Sequence, residues 1–344
     1  MTDRPEEDAG VADADLSDTT VLVTGSTSGI GREAALAFGR LGAEVLVHGR
    51  DEAAGETVVA EIERSAGDAQ FFPADFTDVT AVRNLADAVR AHVGSLDVLA
   101  NNAGGYFREA HLTEIGVEQT FHVNHLAPYL LTADLLPSLA SDARVVTTSS
   151  GAHRGDPLDV EAVTTVDDYA SFGAYQQSKL ANVLFTKELA RRFERSRGAR
   201  TANCFHPGAI PGSNFARSLP GPIPRLIQSL DVLPFVPSPA DGAATLLYLA
   251  VSDRVADVSG RYFADCAPAT PDDPARDREA QRRLWTESAE LLGIPEPLQD
   301  TADETAKDEE RQTEETQTDE TAKDEERQTD ETASDEETRA ETHD

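Results

Sequence analysis

The sequence predicts an α/β fold in which a parallel sheet is covered by helices on both faces. Between residues 19 and 298, short β-branched and apolar runs alternate with longer segments of helical periodicity. Such runs are typical of parallel strands that are buried on both faces. A glycine-rich turn follows the first run directly and opens the first helical segment. These observations favour a doubly wound sheet, with a ligand crevice at the edge where its strands end.

The predicted elements follow one another in regular order. Strands are expected at residues 20–24, 43–48, 70–72, 96–100, 144–148 and 201–205. Helices are expected at residues 30–41, 51–65, 79–93, 117–139 and 174–195. The fourth helix is interrupted by Pro128 and Pro137, and Asp51 is placed to cap the second one.

Charge divides the chain into three regions. The 344 residues carry a formal charge of −33, with seven acidic residues in 1–18 and twenty in 299–344. We expect both ends to be disordered, because they hold too little apolar surface to offset the entropy of ordering. Within the tail, residues 303–313 recur unchanged at 319–329. The tail is either a docking arm or, as we favour, a duplicated low-complexity segment. We expect residues 19–298 to form one folded domain.

Composition excludes several classes of function. No segment approaches the ~18 apolar residues that a membrane span needs, and the acidic N-terminus is unlike a secretory signal, so we expect a cytoplasmic protein. Cys204 and Cys266 are too few for a disulfide framework, and the acidic surface disfavours nucleic acid as a partner. Only four positive charges are lysines, which is typical of a halophile or, alternatively, of a GC-rich genome.

The turn at residues 24–31 has the spacing Gly-x-x-x-Gly-x-Gly. Gly25 permits a tight turn, Gly29 lets the backbone approach a pyrophosphate, and Gly31 lets the helix pack closely on the strand. The helix N-terminus adds N–H donors and partial positive charge. The turn therefore predicts a dinucleotide site.

Tyr175 and Lys179 lie four residues apart in a predicted helix, so their side chains share a face. A tyrosine with a pKa of about 10 is a poor base near neutrality, but a neighbouring ammonium and a nicotinamide cation both favour phenolate. Lys179 and Lys187 are the only lysines within residues 19–298. We interpret Tyr175 as a proton-transfer group and Lys187 as a surface charge.

These motifs, together with Asn101-Asn-Ala-Gly104, Asn124 and Ser150, resemble the short-chain dehydrogenase/reductase family. The resemblance implies a Rossmann-type sheet of about seven strands and NAD(P)-dependent hydride transfer between a carbonyl and an alcohol. Residues 147–153 and 206–208 are similar to the retinol-dehydrogenase-like branch.

The resemblance also implies roles for individual residues. Ser150, not Ser149, holds the substrate oxygen, while Tyr175 exchanges a proton with it. Asn124 disturbs its helix and holds a water that links Lys179 to solvent. The cofactor-binding residues would be Gly25, Ser26, Thr27, Gly29, Ile30, Gly31, Arg50, Asp75, Phe76, Asn101, Ala103, Gly104, Tyr175, Lys179, Pro207, Gly208 and Ile210.

The end of the second strand favours NADP over NAD. Gly49 stands where the family carries an acid for the ribose hydroxyls of NAD, and Arg50 follows it. An arginine can pair with a 2′-phosphate, and the missing acid removes a repulsion.

Residues 209–239 form a long apolar insertion, which we interpret as a lid over an apolar or bulky carbonyl or alcohol substrate, with weak lipid contact as an alternative. The family commonly has threonine at the position that Gly212 occupies, so this sequence differs from the family pattern there.

His122 and His125 are three residues apart, but no third ligand is evident. We therefore expect surface or interface histidines and no metal. His153 is a candidate for the border of the pocket.

The main alternative function is a non-catalytic NADP-binding sensor or scaffold, and a light-driven C=C reductase is a minor one. The resemblance implies a homodimer or homotetramer, although the acidic surface leaves a monomer open.

Overall fold

A computed structural model describes residues 4–65, 67–167, 169–196, 198–208 and 238–299. The chain divides into two units, Met1–Pro297 and Leu298–Asp344, and nearly all of the second lies outside the described residues. The predictions for the tail, for most of the lid and for Ile210 and Gly212 therefore lie outside the described residues.

The described residues contain eight strands in one sheet. They are β1 (Thr20–Val23), β2 (Glu44–Gly49), β3 (Asp68–Pro73), β4 (Leu96–Asn101), β5 (Leu139–Thr148), β6 (Thr201–Phe205), β7 (Tyr262–Ala264) and β8 (Ala267–Ala269). Their order is β3-β2-β1-β4-β5-β6-β7-β8. The strands from β1 to β7 are parallel, and β8 runs antiparallel to β7. The predicted doubly wound fold is confirmed, and its switch point lies between β1 and β4.

The resemblance implied about seven strands, and the eighth, β8, forms a short hairpin with β7. Asp265 and Cys266 connect β7 to β8 with φ values of 48° and 57°. Two consecutive positive φ values are the geometry of the tight turns whose twist matches that of paired strands. The turn contains no glycine, which is why the sequence did not reveal it.

Nine α-helical segments accompany the sheet in the described residues. They are α1 (Pro5–Asp8), α2 (Gly29–Arg40), α3 (Glu52–Arg64), α4 (Val79–His92), α5 (Gln119–Phe121), α6 (Ala127–Leu135), α7 (Ser171–Arg195), α8 (Pro239–Val251) and α9 (Arg278–Leu292). Val21 and Val23 of β1 pack in one core with α2, α3 and α8. Leu22 points to the opposite face, because side chains alternate along a strand. On that face α4 packs on α6 and α7 packs on α9.

The predicted helix at 117–139 is only partly correct. The segment contains α5, a π-helical turn at His122–Leu126, α6 and a 3-10 turn at Leu136–Ser138. Leu139 then begins β5, five residues earlier than predicted. Pro137 lies inside the 3-10 turn, as expected for a residue that cannot continue an α-helix.

The prediction that residues 1–18 are disordered is wrong for residues 4–18. Ala9 and Val11 lie in the hydrophobic core beside α2 and α8. The Glu6 side chain is fully buried. Arg40 of α2 donates to both of its carboxylate oxygens, over 2.8 and 2.7 Å. The acidic composition hid this docking, because the partner of the carboxylate lies 34 residues away.

Candidate active site

The carboxyl ends of β1, β4 and β5 bring the predicted motifs to one edge of the sheet. Thr24, directly after β1, joins the first two strands. Its Oγ1 donates to the Ala100 carbonyl over 3.0 Å and accepts from the backbone N–H groups of Asn102 and Ala103 over 2.9 and 3.0 Å. This hydroxyl fixes the glycine turn against the loop that follows β4.

The glycine turn has the conformation that the sequence predicted. Gly25 has φ +66°, and an added Cβ would lie 2.8 Å from Cα of Ala103. At Gly31 a Cβ would lie 2.5 Å from the Gly25 carbonyl oxygen. By contrast, Gly29 has φ +61° and nothing within 4 Å of its Cβ position. Open space therefore lies directly above the start of α2.

The first turn of α2 is suited to an anionic group. Ser28 is its N-cap residue, but no side-chain hydrogen bond caps the helix. Its first N–H groups are therefore available donors, and the helix dipole places partial positive charge there. Ile30 lies in the same turn, while Ser26 is buried and its Oγ donates to the Val23 carbonyl over 2.7 Å. The residues present fit a pyrophosphate at this position.

Asn102 is a site residue that the sequence analysis missed. Its Nδ2 donates to the Thr24 carbonyl over 2.9 Å, and its Oδ1 accepts from the Thr148 hydroxyl over 3.3 Å. It therefore connects β1 to β5 across the site. Asn101, which was expected to line the ribose end, instead donates to Thr132 of α6 over 3.0 Å. Strand alternation could have shown that these neighbours face opposite sides.

Arg50 and Asp75 lie together beyond the end of β2. Arg50 Nη1 is 3.5 Å from Asp75 Oδ2, and the Arg50 side chain is 66% exposed. Burial alone would raise the pKa of Asp75, but hydrogen bonds from Thr77 and the charge of Arg50 hold it below its usual value. Phe76 stacks on His48 with ring centroids 4.6 Å apart. An arginine with one weak, exposed partner can still bind a phosphate.

The structure adds a steric reason for the glycine at the end of β2. A Cβ at Gly49 would lie 2.4 Å from the Thr27 methyl group. A side chain could therefore be placed here only if Thr27 moved. This contact is invisible in the sequence, because Thr27 and Gly49 belong to different elements.

Ser150 and Tyr175 meet as predicted. The Tyr175 side chain is hydrogen-bonded to the side chain of Ser150, and Ser150 Oγ also accepts from the Ala152 N–H over 3.1 Å. Ser149 faces away from the site, since it is buried and its Oγ donates to the Lys179 carbonyl over 2.8 Å. The choice of Ser150 over Ser149 therefore agrees with their geometry.

Lys179 lies beneath the Tyr175 ring, with Nζ 5.7 Å from the ring centroid. It is buried, and Nζ donates to the Thr148 carbonyl over 3.2 Å. Burial lowers the pKa of Lys179 to about 8. Burial also raises the pKa of Tyr175, against the opposing effect of Ser150. The sequence argument expected a lowered tyrosine pKa with both Lys179 and a nicotinamide present, but in the protein by itself burial dominates.

Asn124 lies in the π-helical turn His122–Leu126, so the expected disturbance of its helix is observed. Its Oδ1 accepts from the Gly105 N–H over 2.7 Å, while Nδ2 donates to the Gly105 carbonyl and to Ser178 Oγ over 2.9 and 3.0 Å. A Cβ at Gly104 would lie 3.0 Å from Asn124 Oδ1 and 3.3 Å from Lys179 Nζ. Asn124 thus holds the loop after β4 directly over the lysine. π-turns of this kind occur frequently at functional sites.

Two histidine predictions are corrected. His122 and His125 are buried rather than on the surface, and each ring contacts a hydroxyl, of Thr113 and Ser288 respectively. Burial lowers their pKa values to about 4 and about 3, so both rings are neutral. His153 is also buried, with its Nδ1 2.7 Å from the Ser150 carbonyl oxygen, and its Nε2 accepts from the Asp272 N–H over 3.1 Å. That it borders the pocket stays a prediction.

An aromatic contact at the mouth of the site was not predicted. The Tyr106 ring packs edge-on against Tyr175 at 5.8 Å. Its hydroxyl lies 2.7 Å from Ser171 Oγ at the start of α7, and the next residue, Phe172, is 49% exposed. Pro207 and Gly208 follow β6 at the same edge, with Gly208 at φ +80°. The site therefore has an aromatic rim.

Comparison with known proteins places this geometry in a family. The model of the short chain dehydrogenase family matches residues 19–220. Human Retinol dehydrogenase 13 is 37% identical over 301 residues, covering 83% of this chain and 87% of its own. Mouse Polyprenol dehydrogenase is 37% identical over 280 residues, covering 79% and 83%.

A solved structure shows the same fold with a nucleotide bound. It is a short chain dehydrogenase from Burkholderia cenocepacia J2315 in complex with NADP, 26% identical, with a TM-score of 0.59. The match covers 76% of this chain and 99% of that protein. In the described residues of the present chain, no helix is both long and apolar enough to cross a bilayer. The sequence matches, the sheet order and the geometry at the ends of β1, β4 and β5 agree, and the chain belongs to the short-chain dehydrogenase family of oxidoreductases.

Proposed function

We propose that this protein is an NADP-dependent oxidoreductase that interconverts a carbonyl and an alcohol on an apolar or bulky substrate. The observation that carries the proposal is the hydrogen bond between Tyr175 and Ser150 directly above the buried Lys179. The glycine turn, whose first helical N–H groups have no capping side chain, borders the same edge of the sheet. A proton-transfer group and a phosphate-binding turn therefore share one crevice.

The chain's own residues provide proton transfer and orientation. When bound, the nicotinamide supplies or accepts the hydride. In the reducing direction Tyr175 donates its phenolic proton to the carbonyl oxygen, and Ser150 donates a hydrogen bond that stabilises the developing negative charge. Because burial raises the pKa of Tyr175, the phenol is protonated at neutral pH and is ready to act as an acid.

Lys179 and Asn124 support this transfer. The Lys179 ammonium lies under the ring that must become phenolate, and its positive charge stabilises that form. Asn124 acts as a positioning residue, because its amide fixes Gly105 and so keeps the loop after β4 over the lysine. We also propose that a water beside Asn124 returns the proton from solvent to Lys179.

The end of β2 supports NADP as the cofactor. Arg50 is exposed, and among the described residues its carboxylate partner is Asp75, at 3.5 Å. The Thr27 methyl group fills the space that an acid at position 49 would need. The short chain dehydrogenase from Burkholderia cenocepacia was solved in complex with NADP. Replacing Arg50 by alanine should weaken NADPH binding by about ten-fold and leave NADH binding almost unchanged, since one charged hydrogen-bonding group is lost. An unchanged ratio of the two dissociation constants, measured by cofactor fluorescence, would refute the assignment.

The substrate class is supported by the relatives and by the rim of the site. Relatives carry the names retinol dehydrogenase and polyprenol dehydrogenase. Here the exposed Phe172 and the ring of Tyr106 lie beside Tyr175. These aromatic surfaces favour an apolar group next to the reacting carbonyl.

A cofactor-consumption assay tests the proposal. Purified protein is mixed with NADPH or NADH and with aliphatic, aromatic and isoprenoid aldehydes and ketones, and cofactor absorbance is followed. We expect turnover with at least one apolar substrate, faster with NADPH. Binding of NADPH without turnover of any substrate would instead support the sensor or scaffold alternative.

A further inference from the structure

A cavity of about 750 Å³ lies away from the glycine turn and from Tyr175. Thr201, the first residue of β6, contributes to its wall, and so does Arg261, which directly precedes β7. The cavity is therefore at the amino ends of the strands, whereas the candidate active site is at their carboxyl ends. The second half of α7 and the start of α9 complete the wall.

The lining of this cavity is strongly basic. The positive side chains are Lys187, Arg191, Arg200, Arg261, Arg276 and Arg278, and the acidic ones are Glu194 and Asp257. The whole chain contains 63 acidic and 30 basic residues. The cavity wall reverses that balance, and it holds one of the two lysines found between residues 19 and 298.

Most of these cations have no carboxylate partner among the described residues. Among the residues that the structure describes, no carboxylate lies within 4.0 Å of Lys187, Arg200, Arg261 or Arg278, whereas Arg191 and Arg276 do form ion pairs. Lys187 Nζ donates to a backbone carbonyl over 3.1 Å, and Arg200 donates to two carbonyls at the start of β5 over 2.8 and 2.7 Å. Hydrogen bonds thus hold the Lys187 and Arg200 side chains in place, and no carboxylate of the described residues pairs with either of them.

Lys187 is not the surface charge that the sequence suggested. It is partly buried, and burial lowers its pKa, with the positive charges of Arg261, Arg191 and Arg276 acting in the same direction. Like charges held this close repel one another. A bound anion would offset that repulsion. It would also replace the favourable interactions with water that the Lys187 ammonium loses on burial.

We propose that this cavity binds a small phosphate-bearing anion with at least two negative charges. Its volume is within the range of sites for small molecules. Guanidinium groups bind phosphate oxygens through paired N–H donors, and an ammonium adds a point charge. Here the donors come from α7, from the residue before β7 and from α9, so they surround the space from several directions. That arrangement matches a tetrahedral oxyanion better than a planar carboxylate.

Calorimetric titration of the full chain tests the proposal, with inorganic tripolyphosphate as the probe at constant ionic strength. Excess NADPH is present to occupy the glycine turn, so that binding of tripolyphosphate there does not contribute to the measured heat. The double variant Arg261→Gln/Arg278→Gln removes two exposed cations of the wall. The double variant Arg64→Gln/Arg83→Gln is the matched control, since both arginines are exposed and lie outside the cavity, on α3 and α4.

We expect the dissociation constant of the double variant to rise by about ten-fold or more, and that of the control to change by less than about two-fold. Absence of binding to the unmodified protein in the presence of NADPH, or equal weakening in the control, would each overturn the proposal. Citrate is the comparison for polycarboxylates, and citrate binding as tightly as tripolyphosphate would refute the preference for phosphate.

Discussion

Replacing Lys179 by methionine is expected to stabilise the protein at neutral pH while removing its activity. The ammonium is buried, and among the described contacts Nζ donates one hydrogen bond, to the Thr148 carbonyl. That carbonyl also accepts from Asn182 Nδ2 over 3.1 Å, so the substitution does not leave it without a donor. Methionine keeps a flexible apolar stem of similar length in the same space.

The magnitude follows from the pKa of the lysine. Burial lowers it from 10.5 to about 8. At about 1.4 kcal/mol per unit, keeping Lys179 charged in the folded state costs about 3 kcal/mol. Loss of the hydrogen bond to Thr148 offsets about 1 kcal/mol of this. The net expectation is a gain of about 2 kcal/mol in the free energy of unfolding.

The sign of the pH dependence gives the prediction its test. Because the folded protein binds this proton less tightly than the unfolded chain, the cost is fully present below about pH 8. It shrinks as the pH rises towards 10.5, where the unfolded lysine also loses its proton. Urea unfolding of both proteins at pH 7 and pH 10 measures the difference. A variant that is less stable at pH 7, or a difference that does not vary with pH, would refute the reasoning.

Two further predictions use the same unfolding assay together with turnover. Ser150→Ala should lower kcat by about 100-fold with little change in stability, because it removes a donor to the substrate oxygen. Ser149→Ala should cost about 1 kcal/mol of stability through its lost bond to the Lys179 carbonyl, and the reverse pattern would contradict the assignment. Glu6→Gln should destabilise the protein by about 2 kcal/mol at pH 7, since Arg40 loses its buried charge partner. Burial raises the pKa of Glu6, but hydrogen bonds from Arg40 and Arg4 lower it below 4.5 overall. The stabilisation is therefore present above about pH 4.5 and lost as the pH falls through the folded pKa, and a difference that does not shrink as the pH is lowered below 4.5 would contradict this account.

Local patterns predicted the parts of the site that depend on neighbours in the chain. The glycine turn follows from backbone requirements within residues 24–31, and the shared face of Tyr175 and Lys179 follows from the helical repeat. The break in the helix around Asn124 was implied by resemblance and is observed as a π-turn. In each case the necessary information lies within one element.

Contacts between distant elements could not be predicted in this way. The docking of Glu6 depends on Arg40 of α2, and the tight space at Gly49 depends on Thr27. The burial of His122 and His125 depends on how their helix packs against the rest of the fold. The raised pKa of Tyr175 in the protein without cofactor could likewise not be predicted, because desolvation depends on everything that covers the ring.

The central claim is that the Tyr175 phenol transfers the proton that accompanies hydride transfer. Its most direct test is a single-turnover experiment in which NADPH oxidation by an accepted ketone is followed in the unmodified protein and in Tyr175→Phe. Cofactor affinity is measured on the same samples. We predict an unchanged dissociation constant for NADPH and a rate at least about 1000-fold lower in the variant. A variant that binds NADPH and oxidises it at the original rate would contradict the account.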